Sequence, residues 1–149
     1  MAGLATPRRR IVLSTVSSDS HTWNLVFLQL LLEESGYQVT NLGPCVPDSE
    51  VIEAVREIRP FAVVISSVNG HGHLDGARLV RALRADRDPG VAGVLAVIGG
   101  KLGIHGTGNA ELAAELSAAG FDAVLGEVAE PARALRLALD RAAPAGVAA

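Results

Sequence analysis

A chain of 149 residues, 49% of them hydrophobic, is most simply one domain, long enough to bury a substantial core. A net charge of -3, with Arg8 to Arg10 as the one basic cluster, argues against nucleic acid as the main partner. The single cysteine, Cys45, closes no internal disulfide, and no apolar run approaches the roughly 18 residues that span a membrane, so the expectation is a soluble cytoplasmic protein.

In chain order, residues 1–9 read as a flexible arm, and the apolar run after Arg10 breaks into Ser and Thr too soon for a signal sequence. "IVLSTV" predicts a short buried strand, and "WNLVFLQLLLEESG" a helix stopped by Gly36. "YQVTNL" follows as a strand, then "PDSEVIEAVREIRP" as a helix capped by Asp48 or Ser49 and ended by Pro60. "FAVVISSV" is the third strand, "LDGARLVRALRA" the third helix and "VAGVLAVIGG" the fourth strand. "NAELAAELSAAG" predicts a helix, "FDAVLG" a fifth strand and "EPARALRLALD" the closing helix. The folded domain spans 10–141, and 142–149 is a flexible tail.

Five βα units in succession imply an α/β fold, a parallel sheet covered by helices on both faces. The 16 glycines and 3% aromatics suit aliphatic buried strands joined by tight turns. Five strands favour the flavodoxin-like (Rossmann-like) doubly wound order 2-1-3-4-5, in which the winding reverses between strands 1 and 3. Ligands bind outside the carboxyl ends of the strands at that crevice. The loops there read "SSDSHTWN", "SSVNGHGH" and "GGKLGIHGTG", and they hold all four histidines: His21, His71, His73 and His105.

Asp19 and His21 stand two apart in the first of these loops. A carboxylate so close can orient an imidazole for metal ligation or acid/base work, although Asp19, Ser18 or Ser20 equally suits a helix cap. Gly99-Gly100 is either turn chemistry or a place where a flat ligand approaches the backbone. Ser66 and Ser67 end an apolar strand with hydroxyls that must find a partner, backbone or ligand. The glycines at 70, 72 and 76 have the wrong spacing for a dinucleotide fingerprint and follow the wrong strand. A phosphorylated receiver domain needs an Asp where Ser66-Ser67 stands, and a flavodoxin needs aromatic walls that one Trp, one Tyr and three Phe scarcely provide. A zinc hydrolase built from His71, His73 and either His21 or His105 remains open.

Asp19-Ser20-His21, Ser66-Ser67-Val68 and Gly99-Gly100 together resemble the D-x-H-x-x-G…S-x-L…G-G signature of cobalamin-binding domains. "TNLGPCVPDSEVIEAV", "VISSVNGHGHLDG" and "VIGGKLG" are similar to the small, free-standing S components of the glutamate (methylaspartate) mutase family, over about Arg10 to Asp140. The resemblance implies that His21 displaces the cofactor's dimethylbenzimidazole and ligates cobalt from below, with Asp19 on its other nitrogen. The nucleotide tail would pass Ser66 or Ser67 and cross Gly99 and Gly100, and Ser18, Ser20, Thr22, Asn24, Val68, Gly70 and Gly126 complete the implied cofactor-binding set. It implies adenosylcobalamin, no catalytic residue on this chain alone, and a large catalytic E-type subunit, two of each chain. That partner would hold most of the amino-acid substrate for the interconversion of glutamate and 3-methylaspartate.

Asn24 departs from the signature's final glycine and Val68 from its leucine. Asn24 would crowd the tail or add a hydrogen bond to it. His71 and His73 match no family ligand and are expected to face solvent or a partner. The alternatives are the B12-binding component of another mutase, a corrinoid carrier or regulator, and the zinc hydrolase. A methyl-transfer carrier is expected to bring an extra helical domain ahead of its first strand, and here that strand starts near residue 10.

Overall fold

Strands of Val, Ile, Leu and Ala lie side by side in the computed structural model, which describes residues 9–18, 22–67, 72–100, 109–125 and 131–142. They are β1 (Arg10–Thr15), β2 (Gln38–Asn41), β3 (Ala62–Ser67), β4 (Leu95–Gly100) and β5 (Ala123–Leu125). All pairings are parallel and the order is β2-β1-β3-β4-β5, the flavodoxin-like arrangement read from the sequence. β3 is buried at every position, as a central parallel strand covered on both faces must be.

The helices are α1 (Trp23–Glu34), α2 (Asp48–Ile58), α3 (Gly72–Arg84), the short α4 (Pro89–Ala92), α5 (Asn109–Ala119) and α6 (Pro131–Ala142). Alternation along each strand divides the core in two. Ile11, Leu13, Val64 and Val97 pack under Leu25 and Leu32 of α1 and Leu135 and Leu139 of α6. Val12, Val63, Ile65 and Ile98 pack under Val51 and Val55 of α2, Leu79, Val80 and Leu83 of α3, and Leu116 of α5. Each fully buried aliphatic side chain contributes about 1.5–3 kcal/mol through its removal from water.

Pro60 stops α2 as expected. The residue before a proline is driven out of the helical region, and Arg59 sits there at φ 54, its N–H bonded to Val55 O.

Two expectations are corrected. Residues 91–94 are not strand: Asp88 caps α4 by accepting from the Gly90 N–H at 2.9 Å, Pro89 starts the helix, and β4 begins only at Leu95. Neither Asp48 nor Ser49 caps α2: Pro47 holds the N-cap position with no side-chain cap bond, and the Asp48 carboxylate is committed to Arg78. The predicted arm and tail, apart from Arg9 and Ala142, lie outside the described residues. No helix among the described residues is long and apolar enough to cross a membrane.

Candidate functional site

The carboxyl ends of β1, β3 and β4 bring Thr15, Ser66 and Gly99 into one register row, which Leu125 of β5 extends. Two positions after Leu13, Val64 and Val97, these residues lie on the face covered by α1 and α6. The next row, Ser67 beside Gly100, lies on the opposite face. The aliphatic strands therefore end in hydroxyls and bare backbone just at the crevice where the winding reverses.

Ser66 is 2% exposed and Ser67 fully buried, whereas Gly99 and Gly100 beside them are partly open. The two glycines differ. Gly100 has φ +106, and a Cβ there would lie 2.1 Å from the Ser67 carbonyl oxygen, so its backbone admits no side chain. Gly99 shows no such strain. A Cβ there would meet Leu125 O at 3.1 Å and Leu125 Cβ at 3.4 Å, a tight fit against the neighbouring strand.

Asn24, in the first turn of α1, donates from Nδ2 to the Ser66 hydroxyl. The buried hydroxyl is thereby satisfied, and α1 is tied to the end of β3. Thr22 stands at the N-cap of α1 without a side-chain cap bond, so neither it nor Ser18 caps the helix. Thr15 donates to Gly43 O at 3.3 Å, holding the loop after β2 against β1.

Ser18 donates to Asp75 on α3. Beside it, Ser17 Oγ accepts from Arg78 Nη2 at 2.9 Å. Arg78 also reaches Asp75 Oδ1 at 3.0 Å and Asp48 Oδ2 at 2.7 Å, joining the turn after β1 to the first turns of α2 and α3. The Asp48 hydrogen bond, and after it Asp75, raises the guanidinium pKa, so this centre stays cationic. Sequence reasoning missed it. The only local signal was the Asp75–Arg78 spacing on a helix, whereas Asp48 and Ser17 lie 30 and 61 residues from Arg78.

Of the expected site residues, Ser18, Thr22, Asn24, Ser66, Ser67, Gly99 and Gly100 are described, and all lie at this edge of the sheet. Asp19, Ser20, His21, Val68, Gly70 and Gly126 lie outside the described residues, as do His71 and His105. His73 is half-buried rather than solvent-facing, because it stands three and four residues before the buried Gly76 and Ala77 on the inward stripe of α3. Its Nδ1 is shut off from water without a hydrogen-bond partner among the described residues. No cluster of three or more His, Cys, Asp or Glu that could hold a metal occurs among the described residues, and the zinc set falls largely outside them.

Such an edge can receive a large, partly flat ligand, with backbone at the glycines and hydroxyls and an amide beside them. The B12 binding domain family matches residues 9–136. The glutamate mutase sigma subunit of Treponema denticola is 32% identical over 116 residues, covering 77% of this chain and 81% of that one. The sigma subunit of Fusobacterium nucleatum is 33% identical over 97 residues, covering 64% and 68%. A solved cobalamin-binding protein from Desulfitobacterium hafniense superposes with TM-score 0.72 at 25% identity; the match covers 92% of this chain but only 60% of that one.

Proposed function

The chain belongs to the B12-binding domain family and is homologous to glutamate mutase sigma subunits, and from that premise we propose that it carries adenosylcobalamin for a carbon-skeleton mutase. The observation that carries the reading is the side-chain-free Gly99 in register beside Ser66 at the switch point, on the α1 and α6 face. A Cβ at Gly99 would fill space that a cofactor tail needs, and at Gly100 it would strike backbone. The residues present fit the group.

In this reading His21 offers one imidazole nitrogen to cobalt, and Asp19 accepts from the other. That contact fixes the tautomer, holds the ring plane and raises the basicity of the ligand. Gly99 and Gly100 let the nucleotide tail lie against bare backbone, while Ser66 and Asn24 supply the hydrogen bonds along it. Ser18, Ser20 and Thr22 of the segment after β1, Ser67, Val68 and Gly70 at and after the end of β3, and Gly126 after β5 complete the set. Once bound, the cofactor supplies homolysis of its cobalt–carbon bond, the radical source for the rearrangement. This chain holds, orients and shields; it abstracts no hydrogen itself.

The substrate, glutamate in exchange with 3-methylaspartate, is assigned to a large catalytic subunit docked over the carboxyl ends of the strands, two of each chain in the assembly. The test is to mix the purified chain with hydroxocobalamin and with adenosylcobalamin and pass each mixture through gel filtration. A red protein peak whose spectrum shows dimethylbenzimidazole displaced from cobalt is expected. A colourless peak at saturating cofactor, with the large subunit also present, overturns the reading; stoichiometric zinc in its place favours the hydrolase.

A further inference from the structure

We propose that the outer face of α1 and α6 is a docking surface for a second copy of this chain, the two copies turned end for end about a two-fold axis.

Among the described residues five large hydrophobic side chains stand exposed, and four of them lie on these two helices. They are Val26, Phe27 and Leu30 of α1, at 44%, 51% and 57%, and Leu137 of α6, at 44%. The three on α1 form one stripe at helical spacing, away from Leu25 and Leu32, which face the sheet. Leu137 stands between the buried Leu135 and Leu139, and so on the outer side of α6. Only Asn24, Gln29, Glu33 and Glu34 are polar among the 12 residues of α1, the composition of a helix covered on both sides. The opposite layer is clad differently. Arg56, Arg59 and Arg78 are paired there with Asp86, Asp88 and Asp48, and Leu74 is its one exposed large hydrophobic among the described residues. Single exposed apolar residues need no explanation, but a stripe of three beside a fourth marks a surface that something covers.

Charge selects the occupant. Glu33 and Glu34 stand exposed in the last turn of α1, where the helix dipole disfavours acid and no cation of that turn offsets it. Arg133 and Arg136 stand exposed in the first half of α6. Each helix follows a strand of the parallel sheet, so both run from the carboxyl ends toward the amino ends over the same face. Asp140 and Arg141, at the foot of α6, offset one another. The face is therefore acidic toward the amino ends and basic nearer the carboxyl ends. A copy laid on it in the same direction meets like charge, and a copy turned end for end meets opposite charge, the isologous two-fold arrangement. Stripe then packs on stripe, with Glu33 and Glu34 approaching Arg133 and Arg136 of the second copy. The carboxyl ends of the strands stay uncovered, and the pairing needs no cofactor. Two helices, each about 18 Å long and about 10 Å across, offer less than the roughly 800 Å² per partner of a stable dimer, so the pair should part on dilution.

The test is sedimentation velocity of the full chain without cofactor, from about 1 to about 200 μM. Wild type should pass from monomer to dimer across that range. Phe27→Ser, at the middle of the stripe, should weaken the pairing roughly tenfold or more at an unchanged melting temperature, and Leu30→Ser stands in should Phe27→Ser not fold. One charge variant carries Glu33→Arg with Glu34→Arg, and a second carries Arg136→Glu. Each alone should lose roughly 3- to 10-fold in self-association. An equal mixture of the two should regain it, because the mixed pair restores opposite charges at both ends of the two-fold. A wild type that stays monomeric at the highest concentration overturns the proposal. So does self-association that Phe27→Ser and Leu30→Ser leave intact, or a mixture that pairs no better than its components. A monomer that instead binds the large mutase subunit through Phe27 and Leu30 replaces the second copy with that subunit.

Discussion

Two adjacent glycines at the end of β4 have different jobs, and the difference is measurable. Gly100 is required by its backbone: with φ +106 and a Cβ only 2.1 Å from Ser67 O, Gly100→Ala should cost at least about 1–3 kcal/mol and lower the melting temperature of the cofactor-free protein. Gly99, in the proposed reading, is kept bare for the ligand: a Cβ there would lie 3.1 Å from Leu125 O, and the neighbour would have to shift by a few tenths of an ångström. Gly99→Ala should leave the melting temperature nearly unchanged yet weaken cobalamin binding about tenfold, the effect of roughly 1.4 kcal/mol of crowding at this position. A Gly99→Ala protein that binds cobalamin as wild type does would remove the tail from this face. In the segment after β1, Asp19→Asn should weaken binding roughly 10- to 100-fold and His21→Gly more, since on the proposed reading the second removes the cobalt ligand itself. Titration of hydroxocobalamin into both variants decides this, and equal affinity for Asp19→Asn and wild type would leave Asp19 without a role toward His21.

At the scale of elements, α2 is fastened to the segment after α3 by two ion pairs. Arg56 forks onto Asp86 at 2.9 and 3.0 Å, and Arg59 onto Asp88, which also caps α4. The Arg56 hydrogen bonds, and after them the Asp88 N–H, hold the Asp86 carboxyl at about 2. A depressed folded pKa stabilises the fold above the unfolded value, near 3.9, and that contribution is lost as pH falls through the folded value. The melting-temperature gap between wild type and Asp86→Asn should therefore be full at pH 6, shrink below about pH 4 and close near pH 2. A gap that persists at pH 2 would mean that Asp86 acts by packing rather than charge. These fasteners also mark where sequence reading stops. The strand order was readable because periodicity and right-handed crossovers are local and general rules. The α4 turn was missed because "VAGVLAVIGG" runs on as apolar residues past the point where Asp88 and Pro89 start a helix. The cap of α2 was misplaced because Asp48, an ideal cap by type, is claimed by an arginine 30 residues away. Ser66, Gly99 and Gly100 were found by their place at strand ends, whereas Arg78 needed the tertiary structure.

For the molecule as a whole, the question is where a substrate amino acid with two carboxylates would sit. A cavity of about 580 Å³ opens along the β5 edge, lined by Leu95, Ala123, Val124, Leu125, Ala134, Leu137 and Ala138, with Asp122 and Arg141 the charged residues in its wall. Among the described residues of this largely apolar wall Arg141 is the one cation, and the acid Asp122 is paired with Arg84 at 2.9 Å. Two carboxylates ask for at least two well-placed cationic partners, so this cavity does not suit a dicarboxylic amino acid. It runs along β5 from Leu95 and Asp122 at the amino ends of β4 and β5 to Leu125 at the carboxyl end. In the proposed reading the cofactor would be held at the carboxyl ends of β1, β3 and β4, and the substrate by another chain. Glutamate-to-3-methylaspartate conversion is therefore expected to be absent with this chain alone and absent with the large subunit alone. It should appear when the two are mixed with adenosylcobalamin, and vanish again when the cofactor is withheld. Full turnover by this chain alone, or by a mixture without cobalamin, would overturn the division of labour. Turnover only with a different acid would keep the carrier role and replace the substrate, because the residues that choose the acid would belong to the partner.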